Sequence, residues 1–168
     1  MKSRKVILLL ASIPLLTISI AADHNRPQRE FRATLKGRNE VPLTLSAGRG
    51  SLELKVNDTD TSVHFTLEYS GLTGVTVAHI HVGQPAANGA VTVFFCGGNG
   101  RPACPPSGTI EGDFTANDVL GITAQQLEAN NLTKLLAAIR AGKTYVNVHT
   151  TTSAAGEIRG QIVDDDRK

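Results

Sequence analysis

Two histidines, His79 and His81, stand one residue apart in the stretch VAHIHVG at 77–83. Successive side chains of a β-strand lie on opposite faces, so a strand here would carry both imidazoles on one face and apolar residues on the other. His149 alternates in the same way with two valines in TYVNVHT at 144–150. Neutral imidazole binds copper and zinc well, and three histidines with an open position suit an exchangeable or catalytic ion. The pattern therefore predicts a transition-metal site at His79, His81 and His149, with copper favoured over zinc.

The other two histidines, His64 and His24, are weaker candidates. A hairpin that pairs Phe65 with Ile80 would place His64 opposite His81, with their Cβ atoms about 5 Å apart. A single histidine on a strand is more often a surface residue, however, and His24 falls in a polar leader. Both are therefore left outside the predicted ligand set.

A purely structural role is the alternative for the same residues. Histidines on the outer face of a sheet are often only solvated. In that case they and Asn147 would stabilise strand ends and loops by hydrogen bonds, and the protein would be a non-catalytic adhesion or protein-binding module.

The two cysteines of the chain, Cys96 and Cys104, flank the short stretch GGNGRPA. Paired thiols in an oxidising compartment usually become disulfides, and closure of a loop this short contributes roughly 2–3 kcal/mol. A copper thiolate is the alternative, but a blue-copper site normally also has an axial methionine. The only methionine is Met1. The spacing therefore predicts a disulfide.

The N-terminus has the features of a secretory signal. Lys2, Arg4 and Lys5 precede an apolar run at 6–20, and small residues at Ala21 and Ala22 suit a signal peptidase. The apolar run is shorter than the ~20 residues needed to cross a bilayer. We therefore predict a signal peptide at 1–21, no membrane span after cleavage, and a secreted or periplasmic protein.

Charge and motifs exclude several function classes. Without residues 1–21 the chain keeps 14 of its 17 basic residues against 15 acidic ones, so its formal net charge is −1 rather than +2. Binding of nucleic acid needs clustered positive charge, and none is expected here. Neither a Ser/His/Asp grouping nor a phosphate-binding glycine loop is evident. The sequence therefore does not favour an enzyme.

Short alternating segments dominate the rest of the chain. GSLELKV and VHFTLEY, separated by NDTDTS, predict a hairpin, and about eight such segments lie between Gly-, Pro- and Asn-rich turns. One helical stretch at 123–142 carries a capping box of Thr123 with Gln126, an apolar stripe and a terminal Gly142. We predict an all-β, antiparallel Greek-key-like β-sandwich with one short helical insertion.

Several of these segments together resemble the CHRD domain, the module named after chordin and also found in exported bacterial proteins. They are FRATLKGRNEVP, YSGLTGVTVAHIHVG, GAVTVFFC, SGTIEGDFTANDV and AGKTYVNVHTTTSAAGEIRGQI. The resemblance covers 31–163. It leaves a flexible leader at 22–30 and an acidic tail at 164–168, and it implies a fold more than an activity.

A more distant similarity links the chain to copper/zinc superoxide dismutase. Its paired-histidine strand is similar to GLTGVTVAHIHVG. Its later histidine strand is similar to TYVNVHT, and its active-site arginine segment is similar to AAGEIRG. By position, the similarity implies that His79, His81 and His149 are copper ligands and that Arg159 guides a small anion. The stretch between Val82 and Val148 lacks the histidines of that enzyme's zinc site, so a zinc site of that kind is excluded. From the residues alone, Arg159 is interpreted as the ion-pair partner of Glu157.

The sequence as a whole predicts an exported CHRD domain that binds a transition metal. Its predicted role is to hold or deliver the metal rather than to catalyse a reaction. The expected partners are a metal ion and, in the adhesion alternative, another extracellular protein. A superoxide-dismutase-like redox enzyme is the second alternative.

Overall fold

A computed structural model describes residues 28–165 of the 168-residue chain. Within this range it contains nine strands, one α-helix and three short 3-10 helices. The predicted signal peptide at 1–21 lies outside the described residues, as do most of the predicted leader and the last three residues of the tail. The strands are β1 (Glu30–Lys36), β2 (Arg49–Val56), β3 (Ser62–Ser70), β4 (Val75–Val82), β5 (Ala90–Cys96), β6 (Gly108–Thr115), β7 (Thr144–Thr150), β8 (Ile158–Gln161) and β9 (Val163–Asp164), and the helix is α1 (Leu132–Arg140).

Alternation of apolar and polar residues accounts for the first strands. In β1 the side chains of Phe31, Ala33 and Leu35 are buried while their neighbours are exposed. β3 repeats the pattern from Val63 to Tyr69. A strand with one face against the core and one in water has this two-residue period. The predicted β2–β3 hairpin is confirmed.

The strands form one continuous antiparallel sheet in the order β5-β4-β7-β8-β1-β2-β3-β6, and β9 pairs with β1. The sheet folds over so that its two halves face each other, and they are joined where Lys36 of β1 pairs with Arg159 of β8. Across the core the rings of Phe65 from β3 and Phe95 from β5 lie 4.4 Å apart between centroids. The predicted all-β antiparallel sandwich with one helix is confirmed.

The register that would have paired His64 with His81 is wrong. β3 pairs with β2 and β6, so Phe65 lies opposite Leu54 rather than Ile80. β4 lies in the other half of the sheet, between β5 and β7. The segment SGLTG therefore crosses between the halves rather than forming a hairpin. His64 lies opposite Asp113, and its ring nitrogen is 3.1 Å from that carboxylate.

The predicted start of the helix is also wrong. Residues Thr123–Gln125 form only a 3-10 turn, because Gln126 and Asn130 adopt positive φ angles of 56° and 62° that interrupt an α-helix. The helix begins after Asn131, whose side chain accepts a hydrogen bond from the backbone N–H of Lys134 at 2.9 Å. The predicted apolar stripe is confirmed and is buried at Leu132, Leu135, Leu136 and Ile139.

The predicted disulfide is confirmed. Cys96, the last residue of β5, is bonded to Cys104, and their Cα atoms are 5.0 Å apart. Neither sulfur is therefore a free thiolate, which removes the copper-thiolate alternative. None of the helices in residues 28–165 has the length and apolarity needed to cross a bilayer.

Candidate metal centre

The adjacent strands β4 and β7 bring the three predicted histidines together. In their antiparallel register His79 lies opposite Asn147, and His149 lies opposite Val77, one step further along the same face. One potential ligand nitrogen from each of His79, His81 and His149 lies within 4.8 Å of the others. The alternate residues Ala78 and Ile80 point into the apolar core. The two-residue period of the strands thus separates the core from a histidine cluster on the opposite face.

This cluster is buried, which differs from the expectation of a solvated outer face. The exposed fractions of His79, His81 and His149 are 5%, 8% and 9%. The ring of Phe94 packs edge-on against His79 with centroids 5.0 Å apart. The ring of Tyr145 stacks on His81 at 4.5 Å with an interplanar angle of 5°. Neighbouring rings and loops therefore form a second, smaller interior outside the main core.

Loop carbonyls fix the orientation of two rings. His81 Nδ1 donates to the carbonyl of Gly89 at 2.8 Å, and His149 Nδ1 donates to the carbonyl of Ala154 at 3.0 Å. A carbonyl that binds Nδ1–H sets the tautomer and leaves Nε2 as a lone-pair donor, as in many metal-ligating histidines. Among the described residues, His149 Nε2 and His79 Nδ1 are buried without any hydrogen-bond partner.

Burial keeps the cluster neutral. It lowers the pKa of His79 to about 3, with further contributions from the nearby His81 and His149. Burial likewise lowers the pKa of His81 to about 4, and it lowers the pKa of His149. Neutral imidazole is the form that binds a metal. The donor set of three neutral imidazoles, two with unpartnered buried nitrogens, therefore fits a transition-metal ion.

Two buried polar residues extend the site beyond the histidines. The carboxamide of Asn147 is 2% exposed, and its Oδ1 lies 3.0 Å from His81 Nε2. Next to it, Glu40 is buried with its Oε1 lacking a hydrogen-bond partner among the described residues. Burial raises the pKa of Glu40, and the backbone N–H of Val41, the charge of Arg159 and the Asn147 side chain partly offset this rise.

From the sequence, Asn147 is expected only to stabilise strand ends and loops by hydrogen bonds. Glu40 is not among the predicted site residues. The spacing of Asn147 and His149 in TYVNVHT placed the two residues on one face and was a usable signal. Glu40 precedes β2 and lies more than a hundred residues from Asn147 along the chain. No local periodicity connects residues so far apart.

Arg159 is buried beside the cluster rather than open to solvent. Its guanidinium lies 3.3 Å from the centroid of the Tyr145 ring, in a cation–π contact. It donates hydrogen bonds to the carbonyl of Ala87 at 2.7 Å, the carbonyl of Gln84 at 3.4 Å and Oδ1 of Asn88 at 3.3 Å. Arg159 thus anchors the loop at 84–88 above the ring that stacks on His81. Its role as an anion guide stays a prediction.

The expected ion pair between Glu157 and Arg159 does not form in the described part of the chain. The carboxylate of Glu157 instead accepts hydrogen bonds from Ser46 at 2.7 Å and Thr150 at 2.5 Å. Hydroxyl donors from two neighbouring segments satisfy the carboxylate locally, and the guanidinium of Arg159 is turned toward the 84–88 loop.

Comparison with known protein families identifies one domain that covers most of the described chain. The family model for the CHRD domain matches residues 31–162. The chain belongs to the CHRD domain family. The predicted resemblance is therefore confirmed, and no curated protein matches the chain. The three histidines, Asn147, Glu40 and Arg159 all lie inside the matched CHRD domain.

Proposed function

We propose that this CHRD domain binds one transition-metal ion, copper before zinc, through His79, His81 and His149. The observation that carries the proposal is the pair of buried, unpartnered nitrogens on His79 and His149. Leaving a buried polar atom unsatisfied costs about 1–3 kcal/mol, and a bound metal ion removes that cost. The ligand atoms would be His79 Nδ1, His81 Nε2 and His149 Nε2.

The surroundings support coordination rather than simple packing. The Gly89 and Ala154 carbonyls accept the Nδ1 protons of His81 and His149, and such outer contacts orient ligating rings and raise their basicity. Imidazole donors suit copper and zinc, whereas magnesium and calcium prefer oxygen. A histidine-only set therefore favours the two transition metals.

The protein would act in an oxidising compartment outside the cytoplasm, in metal binding or delivery. The signal-like N-terminus and the Cys96–Cys104 disulfide support export, because disulfides persist in secreted and periplasmic proteins. Delivery implies an extracellular protein as the acceptor of the ion. Catalysis is not part of the proposal, since Arg159 is engaged by the 84–88 loop rather than facing an open site.

A titration of the purified protein with Cu(II) and Zn(II) tests the proposal. Calorimetry measures the stoichiometry, and electron paramagnetic resonance of the copper form reports nitrogen ligands. We expect one ion per chain in the wild type and loss of that binding in a His79→Ala/His81→Ala variant. His64→Ala is the matched control, because His64 is exposed and hydrogen-bonded to Asp113 away from the cluster.

Two results would replace the proposal with its alternatives. Equal weak binding by the wild type and the double variant would leave the domain as an adhesion or protein-binding module. Removal of superoxide by the copper-loaded protein, beyond that of the same copper free in solution, would make it a redox enzyme.

A further inference from the structure

The carboxamide of Asn147 lies inside the histidine cluster. In the β4–β7 register it is directly opposite His79, and its side chain also interacts with the imidazole of that residue. Its Oδ1 is 3.0 Å from His81 Nε2, and its exposed fraction is 2%. The side chain of Asn147 is therefore almost fully buried, and its oxygen faces the proposed ligand nitrogen of His81.

The contacts of Asn147 with Gly156 and Glu40 favour one orientation of its amide. Nδ2 lies close to Gly156, where an added Cβ atom would approach it to 2.8 Å and would also collide with Oε1 of Glu40. Gly156 has a φ of 124°, so this close approach depends on glycine. With Nδ2 on the side of Glu40, Oδ1 faces His81. The opposite orientation would turn Oδ1 toward the carboxyl group of Glu40, with which the Asn147 side chain interacts.

A count of protons shows what is missing between Asn147 and His81. A neutral imidazole carries one N–H, and His81 donates it from Nδ1 to the carbonyl of Gly89. Nε2 of His81 therefore presents a lone pair to Oδ1 of Asn147, which also presents lone pairs, across 3.0 Å. Two acceptors this close repel each other unless a cation lies between them. Ligands about 2.0–2.2 Å from one metal ion are themselves about 2.8–3.1 Å apart at the right angles of a square plane and about 3.3–3.6 Å apart in a tetrahedron.

We propose that Asn147 Oδ1 supplies a fourth ligand to the ion held by His79, His81 and His149, an inference that rests on the proposed function. Three nitrogens and one oxygen complete a four-coordinate sphere, which is the closed arrangement of a site that holds an ion rather than one that keeps a position for substrate. An amide oxygen is a hard donor, so this set favours Cu(II) or Zn(II) over Cu(I). Asn147 would thus direct the domain toward storage or transfer of a divalent ion.

Replacement of the amide tests the assignment. Asn147→Leu keeps the shape of the side chain and removes the oxygen, whereas Asn147→Asp keeps an oxygen at the same place. We expect Asn147→Leu to weaken Cu(II) binding by about 10–100-fold, the range seen when groups that support a metal are removed. We expect Asn147→Asp to bind Cu(II) at least as tightly as the wild type. His64→Ala is again the control, and the melting temperature of each metal-free variant checks folding.

Deuterium modulation of the Cu(II) spin echo in D2O gives a second measurement on the wild type itself. With Asn147 bound, the wild type has no exchangeable water in the equatorial plane, and Asn147→Leu gains one. An equatorial water in the wild type overturns the assignment, even where Asn147→Leu fails to fold. Equal affinity of Asn147→Leu and wild type, or an equal loss in Asn147→Asp and Asn147→Leu, also overturns it.

Failure of this inference can be told apart from failure of the proposed function. If the wild type binds one Cu(II) ion that requires His79 and His81, the metal site stands whatever Asn147 does. If the wild type binds no such ion, the proposed function fails, and the fourth ligand fails with it.

Discussion

His79 shows the chemistry of the cluster at the scale of one residue. Burial lowers its pKa to about 3 and that of His81 to about 4, whereas both would titrate near 6.5 in the unfolded chain. As the pH falls below 6.5, the two imidazoles become protonated in the unfolded chain but stay neutral in the folded protein. The stability that these two histidines contribute to the metal-free protein is therefore fully present above about pH 6.5, and it is lost as the pH falls toward the folded pKa values.

Urea unfolding of the metal-free protein between about pH 7 and about pH 4 measures this loss. Each of the two histidines contributes up to about 1.4 kcal/mol per pH unit to the fall in the free energy of unfolding. A His79→Gln/His81→Gln variant should show a flatter dependence, because glutamine does not titrate. An equally steep dependence in both proteins would mean that the acid sensitivity arises elsewhere.

At the scale of elements, the pair β4 and β7 builds the site, and β5 covers its flank through Phe94. The disulfide from Cys96 closes the loop that follows β5. Cross-linking a loop of this length restricts the unfolded chain and contributes about 2–3 kcal/mol. The proposed ligands are histidines on β4 and β7. The two sulfurs are not among them, because they are bonded to each other.

A Cys96→Ala/Cys104→Ala variant separates stability from metal binding. We expect its free energy of unfolding in urea to be lower by about 2–3 kcal/mol. Its affinity for Cu(II) should stay within a few-fold of the wild type, because the ligand nitrogens come from other strands. A large loss of affinity in a variant that still folds would show that the loop after β5 helps to hold the ion.

At the scale of the whole molecule, the ion and the fold are linked by the long-range contact of β4 with β7. The unfolded chain rarely brings His149 next to His79, because closing a loop of nearly seventy residues costs conformational entropy. A ligand that binds only the folded state stabilises it, by about 2.7 kcal/mol when its free concentration is a hundred times Kd.

Thermal unfolding with and without Zn(II) checks this linkage. Zinc should raise the melting temperature of the wild type and of His64→Ala, and it should leave that of His79→Ala/His81→Ala unchanged. Equal shifts in all three proteins would point to binding outside the cluster.

Much of the fold could be predicted because strand alternation is local. The apolar positions of β1 and β3 and the joint placement of His79 and His81 on one face follow from a two-residue period. The start of the helix was harder to predict. Thr123 and Gln126 have the spacing of a capping box, but the positive φ angles at Gln126 and Asn130, which interrupt the helix, cannot be recognised from that spacing. The helix begins at Leu132, after the N-cap residue Asn131.

By itself the sequence determined the strand character of the chain, the shared face of His79 and His81, and the pairing of its two cysteines, all encoded by spacing over a few residues. Only the tertiary structure decided that β4 pairs with β7 and not β3, and that the cluster is buried. It alone brought Glu40 and Asn147 together. Strand partners and burial are set by how the two halves of the sheet pack over one core. Local periodicity shows which face of a strand is apolar, but it carries no information about which distant strand will pair with it.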